Sequence, residues 1–127
     1  MGDAGKKLMN IFQDTLRRIA ERVEGAQAVS LLGVDGIPID SYGPADGRAF
    51  ESIAAELGSF VKTSSTRGAS EAGMIQQIVV ETDRSTAILS RVTAEYYLLL
   101  LLSRGGNSGR GRFELRKAGL ALEKELL

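Results

Sequence analysis

The chain has 127 residues, which is enough for one domain whose hydrophobic core needs neither disulfides nor a metal ion. Its 16 basic and 16 acidic side chains balance, so no overall field attracts nucleic acid or an acidic membrane, and we expect neither as a partner. Cysteine and histidine are both absent, which excludes thiol nucleophiles, thiolate metal sites, the commonest metal ligand and the Ser–His hydrolases.

Residues 6–24 form the first predicted element, an amphipathic helix whose apolar side chains recur at intervals of three and four. No apolar block followed by a cleavage site occurs near the start, so a signal peptide is not predicted. The longest apolar run, "YYLLLLL", is far shorter than the ~20 residues that span a bilayer. A cytoplasmic protein is therefore expected.

The stretch "AVSLLGVDGIPIDSY" predicts a β-hairpin. Asp35 and Gly36 separate two β-rich runs, and both residue types tolerate the positive φ of a tight hairpin turn. Pro38 lies in the second run and cannot donate a hydrogen bond to a neighbouring strand, so this strand is predicted at a sheet edge.

Residues 48–67 are helical in pattern and carry a patch of small side chains, Ala54, Ala55, Gly58 and Ser59. Such a patch lets a sheet or another helix approach closely, which offsets the roughly 1 kcal/mol that a helical glycine costs. The helix either covers its own sheet only, or also pairs with its copy in a dimer and presents a composite surface to a partner. The sequence favours the second interpretation.

Three strands follow in quick succession at residues 74–81, 85–91 and 96–103, and a closing helix at 113–127. The last strand is apolar at nearly every position, as expected of a central strand covered on both faces. The order α-β-β-α-β-β-β-α predicts a single α+β domain over residues 1–127, an antiparallel sheet that carries helices.

The stretch "LLLLLSRGGNSGRGRFELRK" raises the question of a phosphate-binding loop. It lacks the Lys-Ser or Lys-Thr of a Walker A loop, and no second parallel strand follows as a dinucleotide fold requires. Asn107 or Ser108 is predicted instead to cap the final helix. The alternative is a weak anion site made by Arg104, Arg110 and Arg112.

Two further candidates involve charged side chains. Arg110 or Arg112 could act as an arginine finger in a partner's nucleotide site, although exposed arginines near a helix start are usually solvated. The carboxylates of Asp35, Asp40 and Asp46 cluster around turns, where turn formation and helix capping explain them better than catalysis or cation binding. We therefore expect no catalytic residue, metal or cofactor.

Taken together, "LLGVDGIPIDSYG", the small-residue helix, the strand–glycine loop–helix ending and the element order resemble the Roadblock/dynein light chain family. The similarity is greatest to its bacterial branch, the MglB-type regulators of Ras-like GTPases, and extends from about residue 6 to residue 127. The resemblance implies a five-stranded antiparallel sheet with the middle helix on one face and the terminal helices on the other.

The resemblance also implies a dimer, formed with itself or with a related Roadblock chain, through the third strand and the middle helix. The residues expected at that interface are Ala54, Gly58, Val61, Ile75, Gln77 and Val79. The paired helices would bind the switch region of a Ras-like GTPase through Glu51, Ala55, Ser59, Lys62 and Thr63. Hydrolysis would be promoted by reshaping the GTPase's own site, without an inserted arginine.

Two other functions stay open. Some branches of the family are adaptors that bind a GTPase or motor complex without changing turnover. A small enzyme or sensor that binds a phosphorylated ligand at the glycine loop is the third possibility.

Overall fold

The computed structural model describes residues 3–43, 47–66 and 73–126, which form eight elements around one sheet. The elements are α1 (Asp3–Arg22), β1 (Ala26–Gly33), β2 (Pro38–Tyr42), α2 (Gly47–Thr66), β3 (Gln77–Glu81), β4 (Ser85–Arg91), β5 (Tyr96–Ser103) and α3 (Ser108–Leu126). Their order and the α+β class confirm the prediction. None of the helices within these residues is long and apolar enough to cross a membrane.

The sheet is antiparallel, with strand order β2-β1-β5-β4-β3. The leucine-rich β5 lies at its centre, and all of its residues except the two terminal ones are buried. Its neighbours β1 and β4 are also buried over most of their length, whereas β2 and β3 at the edges are not. The prediction of a central strand covered on both faces is therefore confirmed.

Two hydrophobic layers cover the sheet. Along β5, Leu98, Leu100 and Leu102 point towards α1 and α3, while Leu99 and Leu101 point towards α2. The alternation follows from the two-residue period of a strand. Among the described elements, α2 therefore covers one face of the sheet, and α1 and α3 cover the other.

The turn between β1 and β2 differs from the predicted one in its backbone. Gly36 has the expected positive φ, 84°, but Asp35 does not share it. The Asp35 carboxylate instead accepts a hydrogen bond from the N–H of Ile37, at 3.0 Å. Asp35 therefore stabilises the turn through its side chain, and a single glycine supplies the left-handed residue.

The structure corrects the predicted first residues of two elements, α3 and β3. Helix α3 begins at Ser108 rather than at residue 113, because the side chain of Asn107 accepts the N–H of Arg110 at 3.0 Å and caps the helix there. Gly111 then lies inside the helix, where a Cβ would come within 2.9 Å of the Leu100 side chain. Strand β3 begins at Gln77 rather than at residue 74.

Candidate interaction surface

The predicted partner-binding residues lie on the solvent side of α2. Glu51, Ala55, Ser59, Lys62 and Thr63 are all exposed. On a helix that turns 100° per residue, they occupy one continuous sector that begins beside the hairpin turn and continues to the outermost line of the helix. The structure therefore brings these five side chains onto one surface, as a partner-binding site requires.

The hairpin turn touches one side of this surface. A Cβ on Gly58 would lie 3.2 Å from the Cα of Gly36, and a Cβ on Gly36 would lie 3.4 Å from the carbonyl oxygen of Ala54. The small residues of α2 thus let the chain's own hairpin cross the helix closely. This is the physical reason for the helical glycine.

The residues of α2 that are predicted to contact a second copy already have neighbours within the chain. Ala54 and Val61 are buried against the sheet of the same chain, and Gly58 faces the hairpin. Ala54 and Val61 therefore already contribute to the monomer's own core, and their contact with a second copy of α2 stays a prediction.

Phe60 is a large apolar side chain that the sequence analysis missed. It is 54% exposed and lies about 200° around α2 from Gly58, on the side away from the hairpin and towards the β4–β3 end of the sheet. Ile53, one heptad earlier, shares this side and packs against the edge of the core. The detectable signal was an aromatic residue outside the apolar stripe of an amphipathic helix.

The outer edge of β3 carries unpaired backbone groups among the described strands. Arg91 donates its N–H to the carbonyl of Gln76, at 2.8 Å, so Gln76 directs its backbone groups towards β4. Every second residue of β3 does the same, and the next one is Ile78, which is paired with Leu89. The alternation directs the N–H and C=O of Val79 outward. Since the Val79 side chain is also 44% exposed, this edge presents both backbone and apolar surface.

Two other predicted interface residues, Ile75 and Gln77, lie just before and at the start of β3. Ile75 precedes β3 and is exposed. The side chain of Gln77 points away from α2 and donates to the carbonyl oxygen of Arg112 in α3, at 3.0 Å. Gln77 therefore ties β3 to its own closing helix.

The opposite sheet edge, β2, is closed. Pro38 has no N–H to offer, as predicted, and the N–H of Ser41 is bound by the carboxylate of the preceding Asp40, at 2.9 Å. The Gln13 side chain of α1 donates to the same carboxylate. A second chain would find few free donors along β2, in contrast to β3.

The glycine loop after β5 packs tightly against the connection between α1 and β1. Two backbone N–H groups tie it to the α1–β1 connection: Asn107 donates to the carbonyl of Glu24 at 3.0 Å, and Ser103, at the end of β5, donates to that of Gly25 at 2.8 Å. A Cβ on Gly25 would lie 2.7 Å from the Cα of Gly106, so the loop crosses the α1–β1 connection at contact distance. The capped-loop interpretation is confirmed by this geometry.

The three arginines of the loop and helix start diverge instead of converging on one anion. Arg104 donates to the carbonyl of Asp83, at 3.5 Å. Arg110 pairs with the buried carboxylate of Glu114 at 2.9 Å and stacks over Phe113, and Arg112 donates to the Gln77 side chain at 3.3 Å. Arg110 and Arg112 are thus held by their own chain, which disfavours both the anion site and the arginine finger.

The turn carboxylates do not converge either. Asp35 and Asp40 hold separate parts of the hairpin, and Asp46 lies outside the described residues. Over residues 3–43, 47–66 and 73–126, no three acidic side chains are grouped so that they could hold a metal ion.

Comparison with known proteins shows similarity in structure. No protein-family model matches the sequence, and no curated protein matches it. The crystal structure of MglC from Myxococcus xanthus is 25% identical, with a TM-score of 0.67 over 91% of this chain and 98% of that chain. MglB from Myxococcus xanthus is 19% identical, with a TM-score of 0.74 over 92% of this chain and 94% of that chain.

A Roadblock/LC7 domain from Streptomyces avermitilis gives the same result. It is 21% identical, with a TM-score of 0.73 over 88% of this chain and 94% of that chain. The chain therefore has the Roadblock fold, which confirms the fold that the resemblance implied.

Proposed function

We propose that this protein is a homodimeric Roadblock-fold regulator that binds a small Ras-like GTPase through α2 and promotes GTP hydrolysis. The observation that carries the proposal is the exposed surface on α2, where Glu51, Ala55, Ser59, Lys62 and Thr63 form one continuous sector. The GTPase itself comes from the resemblance to MglB-type regulators, and the surface is what makes this chain suited to the same role.

The dimer is supported by the asymmetry of the two sheet edges. Strand β3 offers free backbone groups at Val79, while β2 is blocked by Pro38 and by the Asp40–Ser41 contact. Two copies joined antiparallel at β3 would form one ten-stranded sheet, twice the five strands of each copy. Phe60 would then be buried at the junction of the two α2 helices, which explains a large apolar side chain at an exposed position.

The dimer would create the GTPase-binding surface by placing two α2 sectors side by side. Small side chains at Ala55 and Ser59 allow the backbone of a switch segment to come close, while Glu51 and Lys62 offer charges of both signs for polar contacts. No catalytic group of this chain takes part. Acceleration arises because a bound switch region is held in the arrangement in which the GTPase's own residues orient the attacking water.

The second candidate is an adaptor that binds the GTPase without changing turnover. The engagement of Arg110 with Glu114 and of Arg112 with Gln77 fits either candidate, because neither uses an inserted arginine. Both candidates require the α2 surface and differ only in the hydrolysis rate.

The α2 surface is tested by Ala55→Arg, which places a long side chain where the partner must approach. We expect the affinity for a Ras-like GTPase of the same genome to fall at least about tenfold, because overpacking a close contact costs roughly 1–3 kcal/mol. Binding is measured by isothermal titration with the GTPase loaded with a non-hydrolysable GTP analogue.

The matched control is Ala121→Arg, the same change at an exposed position of α3 on the other face of the sheet. It should bind like the unmodified protein. Equal affinity of all three proteins would show that α2 is not the binding surface.

A further inference from the structure

A groove separates the second half of α3 from the chain that leads into β3. Its volume is about 600 Å³, which is enough for several side chains of a ligand. Two exposed apolar side chains, Met74 at 54% and Leu120 at 64%, lie along it, as do the guanidinium-bearing residues Arg91 and Arg116. The groove therefore combines apolar and cationic lining.

Neither arginine is neutralised within the described part of the chain. The Nη1 of Arg91 contacts the thioether sulfur of Met74 at 3.3 Å, and the Nη2 of Arg116 donates to the Gln77 side-chain oxygen at 3.2 Å. No described carboxylate lies within ion-pair distance of either group. Most of their N–H donors, five for each guanidinium, are still available to a ligand.

Gln77 holds this cationic site in place without cancelling its charge. Its oxygen accepts hydrogen bonds from Arg112 and Arg116, and its amide nitrogen donates to Ser90 and to the backbone of Arg112. These four bonds use the full capacity of the amide and fix the two guanidinium groups against the sheet. An amide at this position orients arginines, whereas a carboxylate would pair with them.

We propose that the groove binds a segment of another protein in which acidic side chains are interspersed with apolar ones. The carboxylates of such a segment would pair with Arg116 and Arg91, and an apolar side chain would pack between Met74 and Leu120. Glu123 lies two helical turns beyond Arg116, roughly 10 Å along α3, and makes the other end of the groove acidic. The segment therefore binds with its acidic part at the Gln77 end.

The site is independent of the GTPase-binding surface. Gln77 and α3 lie on the face of the sheet opposite to α2, so both partners can be bound at once. The groove would give this protein a second, separate partner.

The test uses a fluorescent peptide of about ten residues made of Glu and Leu, with its binding followed by anisotropy. Gln77→Glu is the informative variant, because it is isosteric and its carboxylate would neutralise Arg112 and Arg116 from within. We expect about fivefold weaker binding and a somewhat lower melting temperature, because the carboxylate gains ion pairs but cannot donate to Ser90 or to the carbonyl oxygen of Arg112. Leu120→Ser should weaken binding to a similar extent. Lys117→Gln, which also removes a charge from α3 but lies outside the groove, should bind normally.

Other outcomes would overturn the proposal. If Gln77→Glu and Lys117→Gln weaken binding equally, the attraction is diffuse and the groove is not the site. If the peptide with Gln in place of Glu binds as well, the arginines have no role. If inorganic phosphate displaces the peptide fully, and a peptide of Glu and Ser binds as tightly as the peptide of Glu and Leu, the groove binds simple anions and not an acidic, apolar segment. A change in the protein's own sedimentation in Leu120→Ser would identify a second copy as the occupant.

Discussion

Phe60→Asp is expected to convert the proposed dimer to a monomer. In a twofold interface each substitution acts twice, and here two carboxylates would be buried next to each other at the junction of the α2 helices. We expect the dimer dissociation constant to rise at least about 100-fold, since an unpaired buried charge costs several kcal/mol. The monomer should keep its melting temperature within a few degrees, because Phe60 is half-exposed and outside the core. Sedimentation velocity over a concentration series measures the change.

The matched control is Phe113→Asp, the same substitution at an equally exposed position, 55% against 54%, on α3. It should leave the dimer intact. Val79→Pro supplies a second, independent disruption, because it removes an outward N–H from the centre of β3 without breaking a bond to β4. A Phe60→Asp protein that sediments like the unmodified one would exclude α2 from the dimer interface.

Gly25→Ala is expected to have the largest effect on folding. Gly25 and Gly105 have the same positive φ of 86°, so an alanine at either position carries the cost of the left-handed region, about 1 kcal/mol. At Gly105 a Cβ would meet nothing within 4 Å, whereas at Gly25 it would lie 2.7 Å from the backbone of Gly106. We expect the free energy of unfolding to fall by about 3 kcal/mol for Gly25→Ala and about 1 kcal/mol for Gly105→Ala.

Urea unfolding of the two variants measures this difference. The cost of the positive φ is common to both variants. The difference between their losses of stability therefore measures how tightly the glycine loop packs against the α1–β1 connection. Equal losses of stability would mean that this crossing is loose and that the loop has its glycines for another reason, such as binding an anion.

The fold was predictable because local patterns agree with one another at every level. The five leucines of β5 indicated the central strand, Pro38 indicated an edge, and the periodicity of α2 indicated its buried side. The start of α3 was predicted late because glycines at 109 and 111 resemble a loop. Only the structure shows that Gly111 lies close against the side chains of Leu100 and Ile88, which belong to other elements.

The interaction surfaces were only partly predictable. The exposed sector of α2 could be read from helical periodicity, since polar positions opposite an apolar stripe face solvent. The neighbour that the small residues of α2 contact could not be predicted. Gly36 and Gly58 are 22 positions apart, and only folding brings them together. The role of Gln77 was equally hidden, since its partners Ser90, Arg112 and Arg116 come from two other elements.

The central claim is tested most directly by single-turnover GTP hydrolysis. A Ras-like GTPase from the same genome is loaded with GTP and followed with and without this protein, alongside the Ala55→Arg variant. We predict an acceleration of at least about tenfold, lost in Ala55→Arg and kept in Ala121→Arg; inserted-arginine activators reach about 10⁵-fold, and no such group is used here. Binding without any acceleration would contradict the regulator and leave the adaptor as the function of this protein.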